Sequence, residues 1–295
     1  MASNLNPLLI SSAMLPMRSA TPRNWKLIAG ALIVGAISFC AIFAPYLAPY
    51  PFAAQSLADR LIPPVFMHGG SWHHLLGTDH LGRDYLSRLL FGARYSLMIG
   101  VGAVLLSGIV GIGLGISAGY FAGYVDTGVM FLLSVRLSMP VMLAALSIVG
   151  LFGNSLTLLM IVLSSFLWDR FLAVARSLTQ RIREAEFVLA ARASGCSDLR
   201  IMFREIMPNL SAPLIVVATL EMAHAILLEA TFSFLGLGIR PPAASWGLMI
   251  AEAKDFVFFQ AWLVNIPGLA IFILIAGITL LGAGLQDWLV KKAPR

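Results

Sequence analysis

The chain has 295 residues, of which 59% are hydrophobic and only 12% charged, with a mean hydropathy of +0.88. A soluble domain carries about 25% charged residues, so the composition excludes one and points to an all-α protein embedded in a membrane. The formal charge of +6 does not indicate a nucleic-acid partner, because the basic residues sit at the edges of apolar runs and form no single patch.

In chain order, residues 1–26 read as a cytoplasmic tail. Arg18, Arg23 and Lys26 lead straight into a full-length span without the order of a signal peptide. A crossing helix needs about 20 apolar residues. The first span is expected over 27–48, where Pro45, Pro49 and Pro51 cluster at its end. An outer loop, 49–94, follows. Within it Leu81, Tyr85, Leu86, Leu89 and Leu90 form an apolar stripe, and Arg83, Asp84, Ser87 and Arg88 lie opposite. That pattern predicts an interfacial helix on the outer leaflet, with Asp84 and Arg88 paired at i, i+4. His73, His74, Asp79 and His80 have no metal-ligand spacing, so no metal site is expected.

The membrane core is expected over 95–290. Its second span lies between Tyr95 and Tyr124, and Gly111, Gly115, Gly119 and Gly123 recur there at every fourth position. Such a face admits a close neighbouring helix. The third span is read as Thr127 to Leu151 and the fourth as Ser155 to Val174, parted by the turn Gly153-Asn154. The fifth covers Ala212 to Leu235 and the sixth Phe256 to Leu285, before a tail at 291–295. The two tails and the central loop 175–208 carry about twice the Lys and Arg of the outer loops, which places both termini in the cytoplasm.

The central loop holds the charged stretch Glu184 to Pro208. It reads as two short helices around a tight turn. Glu184 and Glu186 suit a first turn. Gly195 suits a left-handed helix stop, Ser197 or Asp198 a cap, and Pro208 the start of the next segment. Four polar groups fall inside spans: Arg136 in the third, and Glu221, His224 and Glu229 in the fifth. A mid-membrane charge costs about 2.5–3.5 kcal/mol on insertion scales, so such groups face a bundle interior or a watery path. Ion pairs between spans and contacts to a transported solute both fit. No lysine follows a glycine, so a Walker A site is absent.

Leu189-Ala190-Ala191, then Gly195, then Glu205-Ile206-Met207-Pro208 resembles the EAA loop of ABC importer permeases. Leu189 stands where that family has Glu, with Glu186 three residues earlier, and Met207 stands where it has Leu. Gly77-Thr78-Asp79, Gly82-Arg83-Asp84 and Ser245-Trp246-Gly247 resemble further signatures of the dipeptide, oligopeptide and nickel group. The resemblance implies a type I importer fold of six spans with a coupling helix. It implies a second homologous permease, two cytoplasmic ATPases carrying ATP and Mg, an extracytoplasmic binding protein and residence in a bacterial inner membrane. Glu186, Ala190, Ala191, Gly195, Asp198 and Pro208 are then the expected coupling residues. The chain itself would bind no cofactor and catalyse nothing. Peptides are the expected cargo, and nickel import is an alternative. An ion-driven transporter using Glu221, His224 and Glu229 as a proton relay is a second one.

Overall fold

The computed structural model describes residues 24–292. The expected amino-terminal tail lies almost wholly outside them, as do residues 293–295 of the other tail. Among the described residues five helices are long and apolar enough to cross a membrane, and the number is six with a bent pair counted as one span.

The first span is α1 (Trp25–Ile42), followed by the single turn α2 (Ala44–Leu47) with Pro45 in its first turn. The second is α3 (Tyr85–Phe121), at 37 residues far longer than read from the charge-free interval. At 1.5 Å per residue it is about 55 Å long, well beyond a hydrocarbon core of about 30 Å. The expected interfacial helix does not exist as a separate element. Its residues form the first turns of α3, and its polar side is buried rather than wetted. Asp84 is the cap: its carboxylate accepts from the Ser87 amide at 2.8 Å. The expected Asp84–Arg88 pair is also not made. Asp84 binds His74 at 2.9 Å, and Arg88 turns to Asp79 and Glu252.

The third span is broken. α4 (Gly123–Ser138) and α5 (Val141–Phe152) meet at 84°. Pro140 is the cause: it cannot donate to the helix ladder, and it drives Met139 into extended backbone with ψ 121. The uninterrupted reading from Thr127 to Leu151 missed this break. The fourth span, α6 (Leu156–Ile182), starts where expected under a Ser155 cap and runs two turns past its expected end.

Helix α3 lies flat against α6 because it has no side chains where they meet. A Cβ on Gly111 would come within 2.3 Å of the Trp168 carbonyl, one on Gly115 within 2.7 Å of Ala175 Cβ, and one on Gly119 within 2.7 Å of Thr179 Cβ. Gly123 does not share this face. It opens α4 at φ +51 with open space around it. The four-residue spacing continues there, but the helix that would make it a face has ended at Phe121.

The elbow consists of α7 (Glu186–Ala193) and α8 (Asp198–Arg200). The second half is not a separate short helix. It passes through a π-helical turn, Ile201–Ile206, into the fifth span, α9 (Met207–Phe234). A short helix, α10 (Trp246–Ala253), packs on α3 through Trp246 and on α9 through Gly247 and its cap Ser245. The sixth span, α11 (Trp262–Lys292), begins later than its apolar run, after a 3-10 turn at Lys254–Phe256. It packs on α1 through Gly277 and Gly284, which face Ile33 and Leu27. Both cysteines, Cys40 and Cys196, are free.

The outer loop is tied down by charge. Asp79 Oδ2 lies 2.6 Å from both Arg83 Nε and Arg88 NH1, and Glu252 Oε2 lies 2.9 Å and 2.7 Å from the same two arginines. Two acids balance two buried guanidinium groups. Burial alone would push the Asp79 carboxyl up, but Arg88, Arg83 and the amides of Arg83 and Leu81 hold it below the ordinary carboxylate range.

Candidate functional site

The elbow is shaped by its turn. The Gly195 amide donates to the Arg192 carbonyl at 3.0 Å, and the Cys196 amide to the Ala191 carbonyl at 3.1 Å. Gly195 has φ +76. These are the two bonds and the left-handed residue of a Schellman stop. Ser197 precedes α8 in extended backbone but makes no side-chain cap bond. The Asp198 carboxylate instead accepts from the Tyr120 hydroxyl at 2.7 Å. Pro208 is the second residue of α9, directly after the π-helical turn, so its missing amide falls within a continuous helical run.

One face of the elbow is buried. Val188, Ile201, Met202 and Ile206 join Ile116, Tyr120, Phe171 and Leu210 in a cluster between α3, α6 and α9. The opposite face is open and unusually apolar. Phe187 and Leu189 of α7 are 44% and 49% exposed, beside exposed Glu186, Ala190 and Gly195, whereas the exposed Leu199 and Phe203 line a groove between α3 and α9 with Ile109 and Ile112. Ala191 is half-buried against the cluster. An apolar patch on a polar, ordered turn is the mark of a docking surface.

The intramembrane charges form a chain across three helices. Arg136 of α4 binds Asp169 of α6 at 3.0 Å and donates to the Phe166 carbonyl. The neighbouring Arg170 binds Glu221 of α9 at 2.9 Å, in an ion contact too poorly aligned to be a hydrogen bond. His224 Nδ1 approaches the other Glu221 oxygen at 3.5 Å. Adjacent residues on α6 therefore serve the spans on either side of it. Glu229 stands apart. Its Oε1 accepts from Ser233 at 2.8 Å and Ser245 at 2.6 Å, and it is fully enclosed against Gly247. It reaches neither an open face nor His224, so the expected relay of Glu221, His224 and Glu229 is not a contact chain among the described residues.

Several functional contacts had no local signal. Tyr120 and Asp198 are 78 residues apart, and Asp126 meets Arg176 across 50. Asp169 and Arg170 carry no signal of their own in the apolar pattern, and only their partners Arg136 and Glu221 place them inside the bundle.

A bundle of six spans with broken third and ordered elbow defines the membrane-embedded subunit of a transporter. The chain belongs to the family of binding-protein-dependent transport system inner membrane components, whose model matches residues 111–294. Residues 23–64 match the N-terminal transmembrane domain of oligopeptide transport permease C. Curated relatives include the di/tripeptide transport system permease protein DppC of Pseudomonas aeruginosa, 41% identical over 91% of this chain and 89% of the relative. The dipeptide transport system permease protein DppC of Escherichia coli is 41% identical over 92% and 90%, and that of Haemophilus influenzae 36% over 92% and 92%. Among solved structures, a chain of the inward-facing MetNI methionine ABC transporter covers 70% of this chain and 97% of its own, at TM-score 0.53 and 16% identity. That match bears on the fold, which is the type I ABC importer fold. The chain is a permease subunit of an ABC importer, and ATP hydrolysis belongs to separate subunits.

Proposed function

We propose that the chain forms half of an inner-membrane pathway for dipeptides or short peptides, and that the elbow couples it to ATP hydrolysis. The peptide assignment rests on the names of the curated relatives, which favour it over nickel. A second, homologous permease completes the pathway. A binding protein delivers cargo from outside, and two ATPases holding ATP and Mg sit against the elbows from the cytoplasm, with both termini on that side.

The observation that carries the coupling reading is the exposed apolar side of α7, Phe187 and Leu189, on a backbone fixed by Gly195. Leu189 stands in the family's Glu position and is 49% exposed, so docking here is more apolar than polar. Glu186, Ala190, Ala191, Gly195, Asp198 and Pro208 frame that face. ATP binding would draw the two elbows together and tilt the spans outward-open, and hydrolysis would reset them. In this cycle Arg136, Glu221 and His224 act with Asp169 and Arg170 as inter-span pairs beside the pathway. Glu229 holds α10 to α9.

The test is uptake by proteoliposomes of the assembled complex. Import of a radiolabelled dipeptide that requires ATP inside and ignores an uncoupler supports the reading. Import that collapses with the uncoupler would assign the chain to ion-driven transport.

A further inference from the structure

Tyr120 ends the last full turn of α3 and is 6% exposed. Its hydroxyl donates to Asp198 Oδ1 at 2.7 Å, and its ring lies 5.3 Å from the Arg192 guanidinium carbon. Arg192 belongs to α7, before the Gly195 corner, and Asp198 to α8, after it. One side chain of a membrane span is thus gripped by both halves of the elbow. Both grips involve a charged group, which gives them a direction that the apolar packing around them lacks.

The chain next to Tyr120 is strained. Ala122 has φ 54 and ψ −157, and Gly123 has φ 51. The Ala122 conformation is one that only glycine adopts freely, and such residues cluster where segments switch. On either side of this corner the helices are fastened. Arg183 of the loop after α6 donates to the Gly119 carbonyl at 3.3 Å. Arg176 of α6 clamps Asp126 of α4 with bonds of 2.5 and 2.6 Å. With both helices fastened, the strained corner of Ala122 and Gly123 is where a change of angle between them would fall.

We propose that Tyr120 is the strut that carries displacement of the elbow into the second span, with the Ala122–Gly123 corner absorbing the change before the third. It is a positioning residue of the transport cycle and touches neither cargo nor ATP. A tyrosine suits the task because its ring turns about only two side-chain bonds. The apolar contacts beside it can slide, whereas a directed bond to a carboxylate cannot. The inference rests on the elbow being the ATPase-facing element.

The test uses the complete reconstituted complex with its binding protein and radiolabelled alanyl-alanine. Tyr120→Phe keeps the ring over Arg192 and removes only the hydroxyl. ATPases should still co-purify with it, and hydrolysis without binding protein should be unchanged. ATP consumed per peptide imported should rise about tenfold, the scale of one hydrogen bond to a charged group. Asp198→Ala, on an exposed residue, should raise the ratio likewise, and the double variant should be no worse than either single. Asp198→Asn keeps an acceptor oxygen and should restore the ratio. A wild-type ratio in Tyr120→Phe, or losses that multiply in the double variant, would overturn the strut. A normal ratio in Gly195→Val signals instead that the elbow reading itself has failed. A normal ratio in Tyr120→Phe beside a raised one in Gly195→Val removes the strut alone.

Discussion

Arg88 NH1 lies 2.6 Å from Asp79 Oδ2, nine residues back along the chain, and both side chains are closed to solvent. With Arg83 and Glu252 they pin the outer loop to α10. Removing one partner of a buried ion pair leaves an uncompensated charge and costs about 3–5 kcal/mol. Asp79→Asn should therefore lower the melting temperature of the detergent-purified protein by several degrees and expose residues 57–84 to protease. Lys26→Ala, which breaks the half-exposed pair with Asp287, should leave melting nearly unchanged. Equal melting of the two variants would mean that the cluster is not a clasp.

The same clasp predicts a pH response. The folded carboxyl of Asp79 is held below its ordinary range. Its stabilisation is fully present above the unfolded pKa of about 3.9 and is lost as pH falls through the folded value. Loop protection from protease should be flat from about pH 7 to 5 and decline only below about 4. A loss centred well above about pH 5 would mean that the Asp79 carboxylate does not hold the clasp.

The glycine face separates two kinds of substitution on one helix. Gly115 faces Ala175 Cβ at 2.7 Å, whereas Gly113 has nothing within 4 Å. Gly115→Val should force α3 from α6 and sharply reduce the yield of folded protein, since overpacking costs about 1–3 kcal/mol or more. Gly113→Val should express normally. Equal yields would remove the close α3–α6 contact.

Topology is tested by the two thiols. Cys196 stands in the elbow turn, half-buried, and Cys40 within α1. A membrane-impermeant thiol reagent should label Cys196 only in inside-out vesicles, and Cys40 in neither orientation. Labelling of Cys196 on intact cells would invert the assigned orientation.

What could be read along the chain was whatever depends on near neighbours. Apolar runs marked the spans, because bilayer thickness sets their length. The glycine stripe was legible as far as Gly119, and the Gly195 stop was legible because helix ends obey local rules. The outer helix was misread for a physical reason. An amphipathic stripe shows that one face differs from the other, but it does not show what covers the polar face. Here Asp79 and Glu252 cover it, and Glu252 comes from α10, far along the chain. Arg136 and Glu221 stood out as costly, yet their partners Asp169 and Arg170 did not, because pairing across helices depends on rotation about each axis. Pro140 was visible, but whether a proline kinks or breaks a span depends on the packing around it.

The corner of the elbow gives the sharpest test of coupling. Gly195 has φ +76, with no atom within 4 Å of the place a Cβ would occupy. A Cβ there meets no atom of this chain, so within the chain its cost is one of backbone angle. A β-branched residue in this conformation costs about 1–2 kcal/mol or more. That cost weakens the paired bonds from Gly195 and Cys196 to Arg192 and Ala191, and it reorients α7 against α8. Asparagine tolerates the left-handed region and often ends helices. The membrane bundle lies away from the corner, so both variants should insert and assemble. Gly195→Val should lose ATP hydrolysis stimulated by the loaded binding protein, together with peptide uptake, whereas Gly195→Asn should keep most of both. Stimulated hydrolysis measured on the reconstituted complex decides the matter. Normal stimulation with valine would make the elbow a plain connector. Equal loss with asparagine would mean that the glycine is needed for its bare surface against the ATPase rather than for its backbone angle.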